Sequence, residues 1–137
     1  MLILFIGSNP STASDIDAAF HGSTKSSKIL TEWTKGLVGT KVHMNVVNQK
    51  TENNRPLKAS EIRGSLDSLA RDISSIEPTR IVALGKTAAK ALTLLHLAFY
   101  EMPHPSGRNR LLNDPKYVEE KVKGLVQFCN QTSPEPN

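Results

Sequence analysis

The opening of the chain limits its fold more than any other stretch. Leu2-Ile3-Leu4-Phe5-Ile6 is an unbroken run of β-branched and large apolar residues, ended at once by Gly7-Ser8-Asn9-Pro10-Ser11. A short run with no polar face, bounded by turn residues, reads as a strand buried on both sides. Such a strand needs a covering layer above and below, which points to an α/β protein. The segment after it is a turn: Gly7 can take a positive φ, and Pro10 fixes φ and lacks an N–H. In open α/β sheets, ligands bind beyond the carboxyl ends of the strands. Taken alone, Gly7 to Ser11 only ends a strand; a chemical role depends on what else reaches that edge.

The remaining chain repeats the alternation. Ile29, Leu30, Trp33 and Leu37 recur at helical spacing, with Ser26 or Ser27 as N-cap and Gly36 or Gly39 near the stop. Lys41 to Val47 reads as a second strand, and the polar Asn48 to Lys58, with Pro56, as a loop. Ser60 is placed to cap a long helix in which Ile62, Leu66, Leu69, Ile73 and Ile76 form one stripe, closed by Pro78. Arg80 to Leu84 is a third buried strand ended by Gly85, and Thr87 to Leu95 a helix with Thr87 as its cap. Leu97 to Glu101 reads as a short fourth strand, and Pro115 to Phe128 as a last helix. Strands alternating with helices imply a three-layer αβα domain with a central, mostly parallel four-stranded sheet. The expected domain spans residues 1–130, and 131–137 form a polar, frayed tail.

Composition narrows the function classes. The 137 residues suit one core, and 38% hydrophobic with 22% charged residues describes a globular protein. No apolar run nears the roughly 20 residues that span a bilayer, and the opening reads as a core strand, not a signal peptide. The single cysteine, Cys129, rules out an internal disulfide and a cysteine-built metal cluster, so a reducing cytoplasm is the expected compartment. Net charge is +4, from 17 Lys plus Arg against 13 Asp plus Glu, which permits a polyanionic partner without requiring one.

Several motifs fail on inspection. Gly85-Lys86-Thr87 resembles the end of a P-loop, but the glycine required five residues earlier is Arg80. The histidines His21, His43, His96 and His104 lack metal-ligand spacing, so no metal is expected. Ser8, Ser11 and Ser106 lie in no nucleophile elbow. Asn45 is more informative: asparagine is depleted in strands, yet it stands among Val42, Met44, Val46 and Val47. If buried, its amide must find a partner, in a loop backbone or in a ligand. His104 lies between Pro103 and Pro105, which stiffen its backbone and suit a positioned group. Asn9, Asn45 and the His104 loop are all expected at one sheet edge.

Together these pieces resemble the uracil-DNA glycosylase superfamily. Gly7-Ser8-Asn9-Pro10-Ser11 looks like its first motif in the version with Asn at the catalytic position. Met44-Asn45-Val46-Val47 places Asn45 at the base-reading asparagine, and the Ala83 to Leu92 stretch is similar to the third strand and following helix. His104-Pro105-Ser106-Gly107-Arg108-Asn109 looks like the second catalytic motif. Asn in the first motif with His in the second is closest to the single-strand-selective monofunctional type. The chain departs from the family in its short length, in Ser11 where the Asn-type motif has glycine, and in lacking the cysteines of the iron–sulfur branches.

The resemblance implies a DNA glycosylase that flips uracil or a modified pyrimidine out of single- or double-stranded DNA and hydrolyses its N-glycosidic bond. Asn9 and His104 would be catalytic. Gly7, Ser8, Pro10, Ser11, Phe20 and Asn45 would bind the base, with Phe20 stacking on it. Ser106, Gly107, Arg108, Asn109 and Arg110 would contact DNA. The expected protein is a monomer, needs no cofactor or metal and has no membrane partner. The competing classes are a non-catalytic binder of a base, nucleotide or protein in the same pocket, and a small nucleotide-processing enzyme of the same fold.

Overall fold

The computed structural model describes residues 1–8, 25–47, 57–105 and 110–130. Among these residues four strands, β1 (Leu2–Gly7), β2 (Thr40–Asn45), β3 (Arg80–Leu84) and β4 (Tyr100–Met102), form one sheet in the order β2-β1-β3-β4. Every pairing is parallel, so the sheet is wholly rather than mostly parallel. Among the described residues four α-helices connect or follow the strands: α1 (Lys25–Thr34), α2 (Ala59–Ile76), α3 (Lys86–Leu94) and α4 (Pro115–Cys129). A 3-10 turn over Arg110–Asn113 precedes α4.

Both faces of β1 are covered, as its composition demands. Leu4 and Ile6 join Ile81 and Ala83 beneath α2 and α3, while Ile3 and Phe5 join Val82 and Leu84 beneath α1 and α4. This is the expected αβα layering. The stripe on α2 behaves as its spacing requires, with Ile62, Leu69 and Ile73 buried and Leu66 and Ile76 packed at its margin. Ala88, Ala89 and Ala91 are all buried on α3, where small side chains let the helix approach the sheet closely. Each fully buried large apolar side chain contributes about 1.5–3 kcal/mol by leaving water.

Element ends differ from the expectations in instructive ways. The α1 helix begins at Lys25, so Ser26 and Ser27 lie inside it rather than capping it. Lys58, not Ser60, is the N-cap of α2, and the Glu61 carboxylate accepts from the Lys58 backbone N–H at 2.7 Å. Gly85, not Thr87, occupies the N-cap of α3, without a side-chain hydrogen bond. Strand β2 ends at Asn45, although Val46 N–H and Val47 N–H still donate to the Gly7 and Ser8 carbonyls, at 2.9 and 3.0 Å. Strand β4 begins only at Tyr100, opposite Val82, because Leu97 and Phe99 pack against the α2–α3 core instead. At α4, Asp114 caps the helix by accepting from the Lys116 and Tyr117 N–H groups, with Pro115 at the first position.

Candidate active site at the carboxyl edge of the sheet

The connections set where a ligand can lie. From β1 the chain crosses to β2 on one side and then returns to β3 on the other, so the order reverses between β1 and β3. A parallel sheet opens a crevice at such a point, beyond the carboxyl ends of its strands. The residues at that edge are Gly7 at the end of β1 and Ser8 after it, Asn45 at the end of β2, Gly85 after β3 and His104 two residues past β4.

Asn45 lies directly opposite Gly7 in the β1–β2 register. Two residues earlier, His43 stacks on Phe5 with ring centroids 5.3 Å apart and planes 20° from parallel. Phe5 belongs to the core beneath α1 and α4, so the strand alternation puts Asn45 on that same face. Gly7 supplies no side chain beside it. Asn45 is only 7% exposed, and among the described residues its side-chain amide makes no hydrogen bond. An amide held this way costs about 1–3 kcal/mol unless something pairs with it.

His104 comes from the other side. Pro103 and Pro105 are both buried and hold the backbone around it. Its side chain leans back over the end of β3, where Gly85 presents a bare backbone to the imidazole. Burial pulls the His104 pKa below its ordinary value of 6.5, so the ring is neutral at pH 7. A neutral imidazole keeps one N–H to donate and carries no charge to be neutralised. His43 is held below 6.5 as well, first by burial and second by Lys41.

Adjacent strands lie about 4.8 Å apart. Asn45 and His104 therefore stand on strands three spacings apart, about 14 Å at the backbone, and His104 leans inward over β3. The arrangement offers an amide donor and acceptor on one side and a neutral N–H donor on the other.

The profile of the Uracil DNA glycosylase superfamily matches residues 2–125, from the first strand into α4. The chain belongs to this superfamily. No curated protein matches the sequence. Membership in the uracil DNA glycosylase superfamily implies DNA binding and DNA glycosylase chemistry, and the matched region contains every edge residue described above.

Of the residues singled out by sequence, Gly7, Ser8, Asn45 and His104 come to this one edge. Arg110 is exposed at the start of the 3-10 turn. Asn9, Pro10, Ser11, Phe20, Ser106, Gly107, Arg108 and Asn109 lie outside the described residues. Among the described residues no cluster of three or more His, Cys, Asp or Glu is arranged to hold a metal ion, and no helix is long and apolar enough to cross a membrane. Cys129 is buried in the α1–α4 core, and burial raises its thiol pKa, so it is not a primed nucleophile. Sequence reasoning treated Gly85 only as a turn and did not connect it to His104, since nothing in the local pattern brings the two together.

Proposed function

We propose that the protein is a monofunctional DNA glycosylase that removes uracil or a related pyrimidine. The reading is supported above all by Asn45, a buried amide with no hydrogen-bond partner among the described residues, at the carboxyl edge of a uracil DNA glycosylase domain. Its N–H would donate to a ring carbonyl and its oxygen would accept from the adjacent ring N–H. That pattern suits the imide edge of uracil and opposes cytosine, and a buried polar site rejects the mismatched edge strongly.

Bond cleavage leaves positive charge on the deoxyribose and negative charge on the departing base. Neutral His104 would donate to the carbonyl where that negative charge collects, an interaction that strengthens in the transition state. Asn9 would hold the attacking water, because a neutral amide orients better than it abstracts protons. The water oxygen then joins the sugar, one proton goes to the base, and an abasic site remains. Phe20 would stack on the flipped base, and Ser106 to Arg110 would grip the strand. The His-Pro-Ser-x-Arg-Asn pattern at His104 to Asn109 supports the single-strand-selective type. The protein is read as a cytoplasmic monomer that needs no cofactor.

The test is incubation with oligonucleotides carrying single uracil, 5-hydroxymethyluracil or cytosine residues, in single- and double-stranded form, followed by alkali. Cleavage at uracil or its 5-substituted relative, with cytosine untouched, is the expected result. Tight binding without strand cleavage on any of them would move the protein to the non-catalytic class.

A further inference from the structure

We propose that Gly85 is a positioning residue for His104: the turn closing β3 lacks a side chain so that the imidazole can rest against its backbone. The proposal builds on the role given to His104 above, and it stands on three observations. A Cβ added at Gly85 would sit 3.1 Å from the His104 Cβ, 3.5 Å from Cδ2 and 3.6 Å from Cγ, and these three are its nearest neighbours. The Gly85 N–H donates to the Met102 carbonyl at 2.8 Å, which ties this turn to the strand that delivers His104. Pro103 and Pro105 are both buried and stiffen the backbone beside His104.

The 3.1 Å separation is tighter than side chains ordinarily allow, so a methyl at position 85 must displace something. The nearest atom, the His104 Cβ, moves only with its backbone, so the His104 segment or the Gly85 turn must shift by a few tenths of an ångström, and the imidazole is displaced with it. The backbone of Gly85 adds a separate demand: φ 96 and ψ 172 lie in a region essentially reserved for glycine. A turn requirement alone would explain glycine here and predicts no link to His104, so the two accounts separate by experiment.

The experiment compares the parent, Gly85→Ala, His104→Ala and the double variant in single-turnover excision of uracil from a single-stranded oligonucleotide. A displacement well under 1 Å at a catalytic group is expected to slow Gly85→Ala about 10- to 100-fold. Oligonucleotide affinity should stay within about twofold, because the effect falls on the transition state. In the His104→Ala background the same substitution should cost less than about twofold, since there is no imidazole left to misplace. An equal cost in both backgrounds would overturn the proposal. NMR gives a readout free of activity: Gly85→Ala should shift the His104 ring resonances and titration, and unchanged resonances would also overturn it. Should Gly85→Ala not fold, the parent protein decides, through a nuclear Overhauser contact between the Gly85 α-protons and the His104 ring. Its presence supports the proposal and its absence sinks it. A parent that excises no base would defeat the glycosylase reading, while the NMR comparison would still decide the role of Gly85.

Discussion

The two ends of the sheet each bury a polar side chain to the same degree, and they treat it in opposite ways. At the amino end, Arg80 is 7% exposed; its Nε donates to the Phe128 carbonyl at 3.0 Å and a terminal nitrogen to the Thr79 carbonyl at 2.9 Å, with the guanidinium 5.8 Å from the Phe128 ring centre. Around it Thr40 N–H bonds the Met1 carbonyl and Thr79 N–H the Leu2 carbonyl, closing the end with backbone. At the carboxyl end, Asn45 is also 7% exposed, yet its amide has no partner among the described residues, and His104 is held neutral nearby along the edge. One buried polar group is consumed by the fold. The other takes no hydrogen bond from any of the described residues. A protein tolerates that local cost where binding a ligand repays it.

The sharpest way to break this contrast is at His104. His104→Ala should lower the single-turnover rate of uracil excision by about 10²- to 10⁴-fold, the usual range for a lost catalytic proton or hydrogen-bond donor. Binding of the same oligonucleotide should change far less. Equal losses in rate and affinity would make the carboxyl edge a binding site only.

Asn45 tests the same edge through specificity and stability together. Asn45→Asp should lose uracil excision and gain at most a trace on cytosine, whose amino group a carboxylate can accept. Asn45→Leu should lose both activities while melting at or above the parent temperature, because it removes a buried amide that has no partner among the described residues and costs about 1–3 kcal/mol. A marked fall in melting temperature for Asn45→Leu would mean that the amide is structural after all. Arg80 should behave oppositely. Arg80→Ala strips donors from two carbonyls and should destabilise the fold by roughly 2–3 kcal/mol in urea unfolding, with the excision rate of the folded fraction unchanged.

The pH dependence of stability sharpens the comparison further. His43 and His104 both have folded-state pKa values below 6.5, so across that window the unfolded chain binds more protons than the folded one. Their contribution is therefore complete above about pH 6.5 and declines as pH falls toward the folded values. Urea midpoints measured from pH 7.5 down to 5 should drop, and His104→Ala should flatten the decline. The smallest effect belongs to Arg110, which is exposed at the start of the 3-10 turn. Arg110→Ala should reduce the slope of log affinity against log salt by about 0.7, one phosphate contact on a single strand. An unchanged slope would leave Arg110 as a solvated arginine.

Much of the fold was legible because its signals are local. The apolar run of β1 needs cover on both faces whatever surrounds it, and the α2 stripe reports its buried side through spacing alone. The arrival of Asn45 and His104 at one edge also followed from sequence, since each sits at the carboxyl end of a strand in a sheet whose strands all run the same way. What failed were the caps and strand ends. Ser60 and Thr87 are good cap residues by type, but the chain direction at Lys58 and Gly85 starts each helix earlier. Phe99 has strand character, yet it is claimed by the α2–α3 core before pairing begins at Tyr100.

By itself, then, the sequence determined the layers, the helical faces and the delivery of Asn45 and His104 to one edge, because hydrophobic period and turn chemistry act over a few neighbouring positions. Tertiary structure alone decided that Arg80 would be satisfied, that Asn45 would be buried with no partner among the described residues, and that His104 would lie against Gly85, nineteen positions away in the chain. Those outcomes depend on which strands become neighbours and on how far a carbonyl or a ring stands from a given atom. No pattern along the chain carries distances of that kind; they exist only after the sheet has assembled.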